Sequence, residues 1–380
     1  MKIIVVPDSF KGSLSAIQAA TAIERGIEHA AAKMAKPVEI IKIPMADGGE
    51  GTVEAIISAI GGRIITTSVL NPLGRATKSF IGILPNNTAV IEMAAASGLN
   101  LIEPHLRNPL LTTTYGTGQL IQTALDNGCI DIIIGVGGSA TNDGGVGMAQ
   151  ALGIKFSDEK GNPVGFGGGI LDQIRHIDAS GLDPRAKKAR FTVASDVKNS
   201  LCGSDGASAV YGPQKGATPE MVTLLDQNLR HLADIIKSDL GIAIAEVPGS
   251  GAAGGLGGGL IAFLGAKLQP GIGLIMELTS FEEKLRDADL IITGEGATDF
   301  QTLFGKVPFG VAQVAKEYGK PVICISGSLG NGYEKLSDAG IVAFFSIVDR
   351  PMSLEEAMAR GEALLEKTAQ NVLDTYFLGG

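Results

Sequence analysis

A short apolar run, a glycine-rich turn and a segment of helical period recur in that order along the chain, and no other feature limits its fold so much. The runs Ile3 to Val6, Val38 to Ile43, Ile130 to Val136, Leu290 to Thr293, Val322 to Ser326 and Ala343 to Val348 are β-branched and continuous, as parallel strands covered on both faces require. Between them, Ala16 to Ala35, Thr52 to Ile60, Thr117 to Asn127, Val307 to Tyr318 and Leu354 to Leu373 carry apolar residues three and four apart, the spacing of an amphipathic helix. Strand followed by helix predicts an α/β fold built on a parallel sheet.

The 380 residues exceed the roughly 250 to 300 at which one hydrophobic core stops growing, so two domains are expected. Residues 67–109 and 156–279 carry more hairpin and loop signals, such as Asn71-Pro72, Pro85-Asn86-Asn87 and Gly161-Asn162-Pro163, with one clear amphipathic helix near Pro219 to Leu240. They read as a second α/β domain inserted into a first, discontinuous one made of residues 1–66, 110–155 and 280–380. The cleft between two such domains is the default ligand site.

Composition removes several functions. A net charge of -9 with no basic cluster longer than Lys187-Lys188 repels polyphosphate backbones, so nucleic acid is not an expected partner. Cys129, Cys202 and Cys324 lie far apart without CxxC spacing, which suggests neither a disulfide frame nor a zinc knuckle and fits a cytoplasmic protein. The run after Met1 is too short for a signal peptide. Val247 to Ala266 has the length of a membrane span, but eight of its residues are glycine, each disfavouring a helix by roughly 1 kcal/mol relative to alanine. No membrane segment is expected.

Glycine is the unusual component, 53 residues clustered beside Asp, Ser, Thr and Asn. The clusters are Pro7 to Ser13, Ala46 to Thr52, Gly135 to Gly145, Pro248 to Gly255 and Gly294 to Asp299. Glycine lets backbone amides approach an anion, and a following helix adds the positive end of its dipole, so such turns suit phosphate. Asp8, Asp47, Asp143, Asp196, Glu295 and Asp299 sit in or beside these turns, at the expected carboxyl ends of strands, where open α/β sheets bind ligands. Carboxylates there can hold Mg²⁺ or accept a hydroxyl proton; the plainer alternative for Asp8, Asp47 and Asp143 is helix capping. Lys11, Lys215 and Lys306 are the cations placed among glycines, suited to phosphate oxygens, with surface solvation as the alternative.

Other constellations are missing. His29, His105, His176 and His231 lie outside every glycine-rich turn, so neither a Ser-His-Asp triad nor a histidine metal site is indicated, and His29 and His231 are expected on exposed helix faces. Gly305-Lys306 is no Walker A loop, because Phe300 stands at the leading glycine and Val307 follows the lysine. Gly249-x-Gly251-x-x-Gly254 and Gly135-x-Gly137-x-x-Ala140 fit the dinucleotide fingerprint loosely. The residues thus indicate an enzyme acting on a small anion and a phosphate, with phosphoryl transfer ahead of hydride transfer.

At PDSFKGSLSA (7–16), ADGGEGTVEA (46–55), IEMAAASGL (91–99), NPLLTTTYGTGQLI (108–121), IGVGGSATNDGG (134–145), SDVKNSLCG (195–203), GASAVYGPQKGATPEM (206–221), PGSGAAGGLG (248–257) and GKVPFGVA (305–312), the chain resembles the bacterial type I glycerate kinase family. The resemblance covers essentially the whole chain in order. It implies ATP- and Mg²⁺-dependent phosphorylation of D-glycerate, to 2-phosphoglycerate or alternatively the 3-isomer, by a cytoplasmic monomer or homodimer. It also implies a flavodoxin-like, Rossmann-like domain with a second α/β domain enclosing the cleft.

On that resemblance, Asp8 or Asp196 orients the glycerate hydroxyl, and Lys11, Lys215 and Lys306 face phosphates. Asp47, Glu295 and Asp299 serve the metal. Ser9, Arg107, Ser139, Asn142 and Asp143 meet glycerate, and Gly48, Gly49, Gly251, Gly254, Gly255, Gly294 and Gly296 line the nucleotide. One departure stands out. Where the family commonly reads GEGRxD, this chain has Ala297, and Phe300 and Phe304 add apolar surface nearby. The competing readings are a kinase of a related small acid, a nucleotide-linked oxidoreductase of a small hydroxy acid, and a ligand-binding protein in which Ala297 has abolished turnover.

Overall fold

The computed structural model describes residues 1–45 and 48–378, so Asp47, an expected metal ligand, lies outside the described residues. Its strands are β1 (Lys2–Pro7), β2 (Glu39–Lys42), β3 (Arg63–Leu70), β4 (Ala76–Ile83), β5 (Ala89–Glu92), β6 (Asp131–Gly135), β7 (Lys155–Ser157), β8 (His176–Asp178), β9 (Arg190–Ala194), β10 (Lys267–Gln269), β11 (Leu290–Gly294), β12 (Ala297–Thr298), β13 (Val322–Ser326), β14 (Ser328–Leu329) and β15 (Ile341–Ser346). The chain divides into two compact units, the described parts of residues 1–47, 54–61 and 272–380, and residues 48–53 with 62–271.

The first unit is built on a five-stranded sheet in the order β15-β13-β11-β1-β2, with every pairing parallel. Counted along the chain within the sheet, this is the flavodoxin-like order 2-1-3-4-5, read from the β2 edge. The apolar runs explain it: Ile3, Val5, Leu290, Ile292, Ile323 and Ile325 are buried in one core with Ile23, Ile27 and Ala30. Those last three come from the helix Ala16–Lys33, which Ser15 and Gln18 start with a capping box. The helix Gly361–Leu378 closes on it at Gly26, where a Cβ would lie 2.3 Å from the Glu366 carbonyl oxygen.

The helical period of Leu354 to Leu373 resolves into two helices, Leu354–Ala359 and Gly361–Leu378. The break comes where a side chain has no room, since a Cβ on Gly361 would lie 2.4 Å from Ser13 Oγ.

In the second unit a six-stranded sheet runs β10-β9-β6-β5-β4-β3. β5, β6, β9 and β10 are parallel, and β3 and β4 join antiparallel at the edge. Residues 110–155, expected with the N-terminal domain, instead place β6 at the centre of this second sheet. Its run Ile132 to Ile134 is buried and needs a parallel neighbour on each side, which β5 and β9 supply. An apolar run announces a central strand but not which of two sheets receives it.

The helix Pro219–Leu240 forms as its sequence predicts, with Thr218 as N-cap, proline at its first turn and Gly241 at φ 72 closing it. His231 on it is half-buried, with Nε2 2.7 Å from the Ile174 carbonyl, where an exposed face was expected. Within Val247 to Ala266 only Leu256–Leu264 is helical, and no helix among the described residues is long and apolar enough to cross a membrane.

Candidate functional site

The first unit reverses its strand order between β1 and β11, and ligands of open α/β sheets bind outside the carboxyl ends of such a pair. There β1 delivers Asp8 and Ser9, and β11 delivers Gly294, Glu295 and Gly296. The Asp8 amide donates to the Gly294 carbonyl at 2.8 Å, which stitches the two strand ends together. The Ser9 amide donates to Asp8 Oδ1 at 2.6 Å, so the carboxyl is buried with a fixed orientation. Lys11, exposed, follows in a turn whose backbone amide passes 3.3 Å from where a Gly296 Cβ would stand. At Gly294 a Cβ would lie 1.8 Å from the Ile325 carbonyl, so only glycine lets β11 leave the sheet there.

Past β11 the loop is pinned to residues 327–330. Gly327, Ser328 and Gly330 amides donate to the Glu295, Gly296 and Thr298 carbonyls at 3.0, 3.1 and 2.8 Å. Glu295 Oε1 accepts from Thr302 Oγ1 at 2.6 Å and Thr298 Oγ1 at 3.1 Å, and Oε2 lies 3.5 Å from Lys306 Nζ. Asp299 caps the turn Phe300–Phe304, accepting the Gln301 amide at 2.8 Å. Lys306, half-exposed, stands at the N-cap of the helix Val307–Glu317, where lysine and helix dipole both favour an anion. Asp8, Ser9, Lys11, Gly294, Glu295, Gly296, Asp299 and Lys306 therefore share one edge of one sheet.

The expected residues of the second unit are largely its framework. Asp143, expected to meet substrate, is buried, with Oδ2 accepting the Thr114 amide at 2.8 Å, the Thr114 hydroxyl at 2.9 Å and the Gly147 amide at 3.3 Å, while Oδ1 accepts the Gly145 amide at 3.1 Å. Burial pushes this carboxyl upward and those donors pull it back. Lys215, expected at phosphate, is buried too; its Nζ donates to Ser139 Oγ at 2.8 Å and the Thr141 carbonyl at 2.7 Å. Asn142 Nδ2 donates to Ser208 Oγ at 2.9 Å.

The glycines here serve close approach. A Cβ on Gly254 would lie 1.9 Å from the Thr141 carbonyl, one on Gly251 2.2 Å from that of Ser200, and one on Gly255 3.0 Å from Gly144 Cα. Gly48 accepts the Gly137 amide at 3.1 Å, and Gly137, if it bore a Cβ, would press on Gly49 Cα at 2.7 Å. Neither loose dinucleotide fingerprint has the strand–turn–helix context that the motif needs. Pro248 to Gly255 follows a turn instead of a strand, and the helix after β6 begins only at Val146.

Two residues differ from this pattern. Asp196 is exposed beyond β9 and accepts the Gly271 amide at 3.1 Å. Arg107 keeps a buried Nε without a hydrogen-bond partner among the described residues.

Burial lowers the Lys215 ammonium to about 7, against a smaller opposing pull from Asp143. The unfolded chain, with lysine at its usual 10.5, binds the extra proton between those values, so stability tied to Lys215 rises as pH rises from 7 towards 10. In thermal unfolding from pH 6.5 to 9.5, wild type should gain about 1–3 kcal/mol relative to Lys215→Met. A difference that stays flat with pH would show that the buried amine is not the titrating group.

For Mg²⁺, no three His, Cys, Asp or Glu side chains converge among the described residues. Single carboxylates suit a cation that keeps most of its shell from phosphates and water. Glu295 does not suit it, since hydroxyls hold Oε1 and an ammonium faces Oε2. The hydroxyls of Thr114, Thr298, Thr302 and Ser326 were not legible as parts of these sites. Their one signal is spacing, with Thr298 and Thr302 three and seven residues beyond Glu295 and Ser326 closing the neighbouring strand.

Comparison with known proteins agrees along the whole length. The model of the glycerate kinase family matches residues 3–377. A glycerate kinase of Halalkalibacterium halodurans is 53% identical over 371 residues, covering 97% of both chains. A glycerate 2-kinase of Escherichia coli K12 is 48% identical over 380 residues, covering 100% of this chain and 99% of that protein. A crystal structure from Salmonella typhimurium LT2, whose description carries the name glycerate kinase 2, superposes with a TM-score of 0.89 at 49% identity, covering 100% and 99% of the two chains.

Proposed function

Because the chain belongs to the glycerate kinase family, we propose that it transfers the γ-phosphoryl group of ATP to D-glycerate, giving 2-phosphoglycerate and ADP. The observation that carries this reading is the full-length family match, and the Asp8, Lys11 and Lys306 edge of the flavodoxin-like sheet supports it. Phosphoryl transfer asks a protein mainly to align donor and acceptor and to neutralise oxygens.

In this reading Asp8 accepts a hydrogen bond from the glycerate hydroxyl and aims its oxygen, a task its Ser9 contact has already oriented it for. Lys11 and Lys306 meet phosphate oxygens, and the N-terminus of the helix Val307–Glu317 adds its dipole. Mg²⁺ would neutralise charge across the phosphates, with Asp299 as the candidate carboxylate. Ser139, Asn142, Asp143 and Lys215 hold the second unit's framework. We place the reaction in the cytoplasm, which suits three free cysteines.

ADP release should depend on D-glycerate when purified protein is given ATP and Mg²⁺, with glycolate, lactate and L-glycerate far poorer acceptors and NMR placing the phosphate on the 2-hydroxyl. Equal release with glycolate would transfer the reading to another small acid. Silence with all four, from folded protein that binds ATP, would favour a binding role.

A further inference from the structure

We propose that Glu295 is a positioning residue that tethers Lys306, one carboxylate oxygen clamped by hydroxyls and the other turned to the ammonium, instead of a ligand of the metal. The role rests on the kinase reading above. Glu295 is 5% exposed and its surroundings fix the direction of each hydrogen bond. Thr302 Oγ1 already accepts the Asp299 amide at 3.2 Å, so its proton goes to Glu295 Oε1 at 2.6 Å.

Thr298 Oγ1 gives its own proton to the same oxygen and has lone pairs left for the Ser326 hydroxyl, 2.7 Å away. Ser326 Oγ can then accept from Cys324 Sγ at 3.3 Å; burial pushes that thiol up to about 11, so its proton is present at neutral pH. From Cys324 through Ser326 and Thr298, every donor points toward the carboxylate, as an acceptor-only group requires.

Such a carboxylate is a poor site for a hard divalent cation. Oε1 already carries two donors, and a metal at Oε2 would stand against an ammonium 3.5 Å from that oxygen. It is, however, a good tether. Its backbone is pinned to residues 327–328 through the Glu295 and Gly296 carbonyls, so it cannot follow the lysine. Lys306 is 39% exposed, and an ammonium with three donors can keep Glu295 while meeting a phosphate oxygen. A half-exposed ion pair adds only about 0–1 kcal/mol to stability. Its value is positional, because a misplacement of about 1 Å at a reacting centre costs about 100-fold in rate.

A double-mutant cycle with Glu295→Gln, Lys306→Ala and the pair tests the tether, read both on kcat and on ATP affinity by calorimetry. Lys306→Ala should lower kcat about 30-fold and Glu295→Gln about 10-fold, and the double variant should match Lys306→Ala within about twofold, because the tether has no work without its lysine. The Mg²⁺ concentration giving half activity should be unchanged in Glu295→Gln within about twofold. Thr298→Val should lower kcat about 3-fold and Thr298→Ser should restore it.

Multiplying losses in the double variant would overturn the tether. So would a rise of about tenfold in the Mg²⁺ requirement of Glu295→Gln with kcat recovered at high Mg²⁺, which is how a lost metal ligand behaves. If wild type transfers nothing to D-glycerate, the kinase reading fails alone, and the cycle measured on ATP affinity still decides the tether.

Discussion

Asp143→Asn should lower the unfolding free energy by about 3–5 kcal/mol, seen as a drop of roughly 10 °C in the thermal transition. Four donors meet this carboxylate in a buried setting: the amides of Thr114, Gly145 and Gly147 and the Thr114 hydroxyl. Asparagine offers one acceptor oxygen. Set where Oδ2 now stands, it satisfies Thr114 and Gly147 but turns its NH₂ group against the Gly145 amide; set the other way, it turns against three donors. Either way at least one buried N–H loses its acceptor, the remaining bonds lose their charge assistance, and the nearby Lys215 loses its opposing charge.

The substrate-ligand role expected of Asp143 predicts something different, an unchanged transition with a raised KM for glycerate. A transition within about 2 °C of wild type would restore that role.

The contrast between Asp143 and Asp8 shows where the sequence was legible. Both are aspartates in glycine-rich turns after an apolar run, and both carried two readings, ligand or cap. What marks Asp143 as framework is three-dimensional bonding: Thr114 is twenty-nine residues away, too far for any local pattern to assign it to Asp143. Lys215 shares the problem, since its partners Ser139 and Thr141 are about seventy-five residues away. The strand runs and the helical periods of Ala16 to Ala35 and Pro219 to Leu240 were readable because their physics is local. The sheet to which β6 belongs was not, because parallel pairing joins segments with no sequence relation. Glycine was half readable: clustering marked where backbones come close, but at Gly254 and Gly137 the close neighbour is the protein's own chain, and an anion would demand the same residue.

The kinetic test of the first unit's edge is Asp8→Asn, for which kcat should fall about 1000-fold while the fold persists. The substitution keeps an oxygen for the Ser9 amide, now 2.6 Å from Oδ1, and leaves the backbone bond from Asp8 to Gly294 untouched; thermal unfolding of the variant, measured beside its kinetics, separates lost turnover from lost fold. What it removes is the charge that draws the glycerate hydroxyl proton and aims its oxygen at the γ-phosphorus, an effect of transition-state character. KM for ATP should therefore change by less than about threefold while kcat collapses. Asp196→Asn serves as the matched comparison. Exposed beyond β9 and holding the Gly271 amide, Asp196 was the other candidate for this task, and its asparagine variant should keep kcat within about threefold. A reversal of the two results would move the hydroxyl-orienting role to Asp196. If both variants kept wild-type turnover, alignment by Lys11, Lys306 and the helix dipole would have to suffice without a carboxylate at the acceptor oxygen.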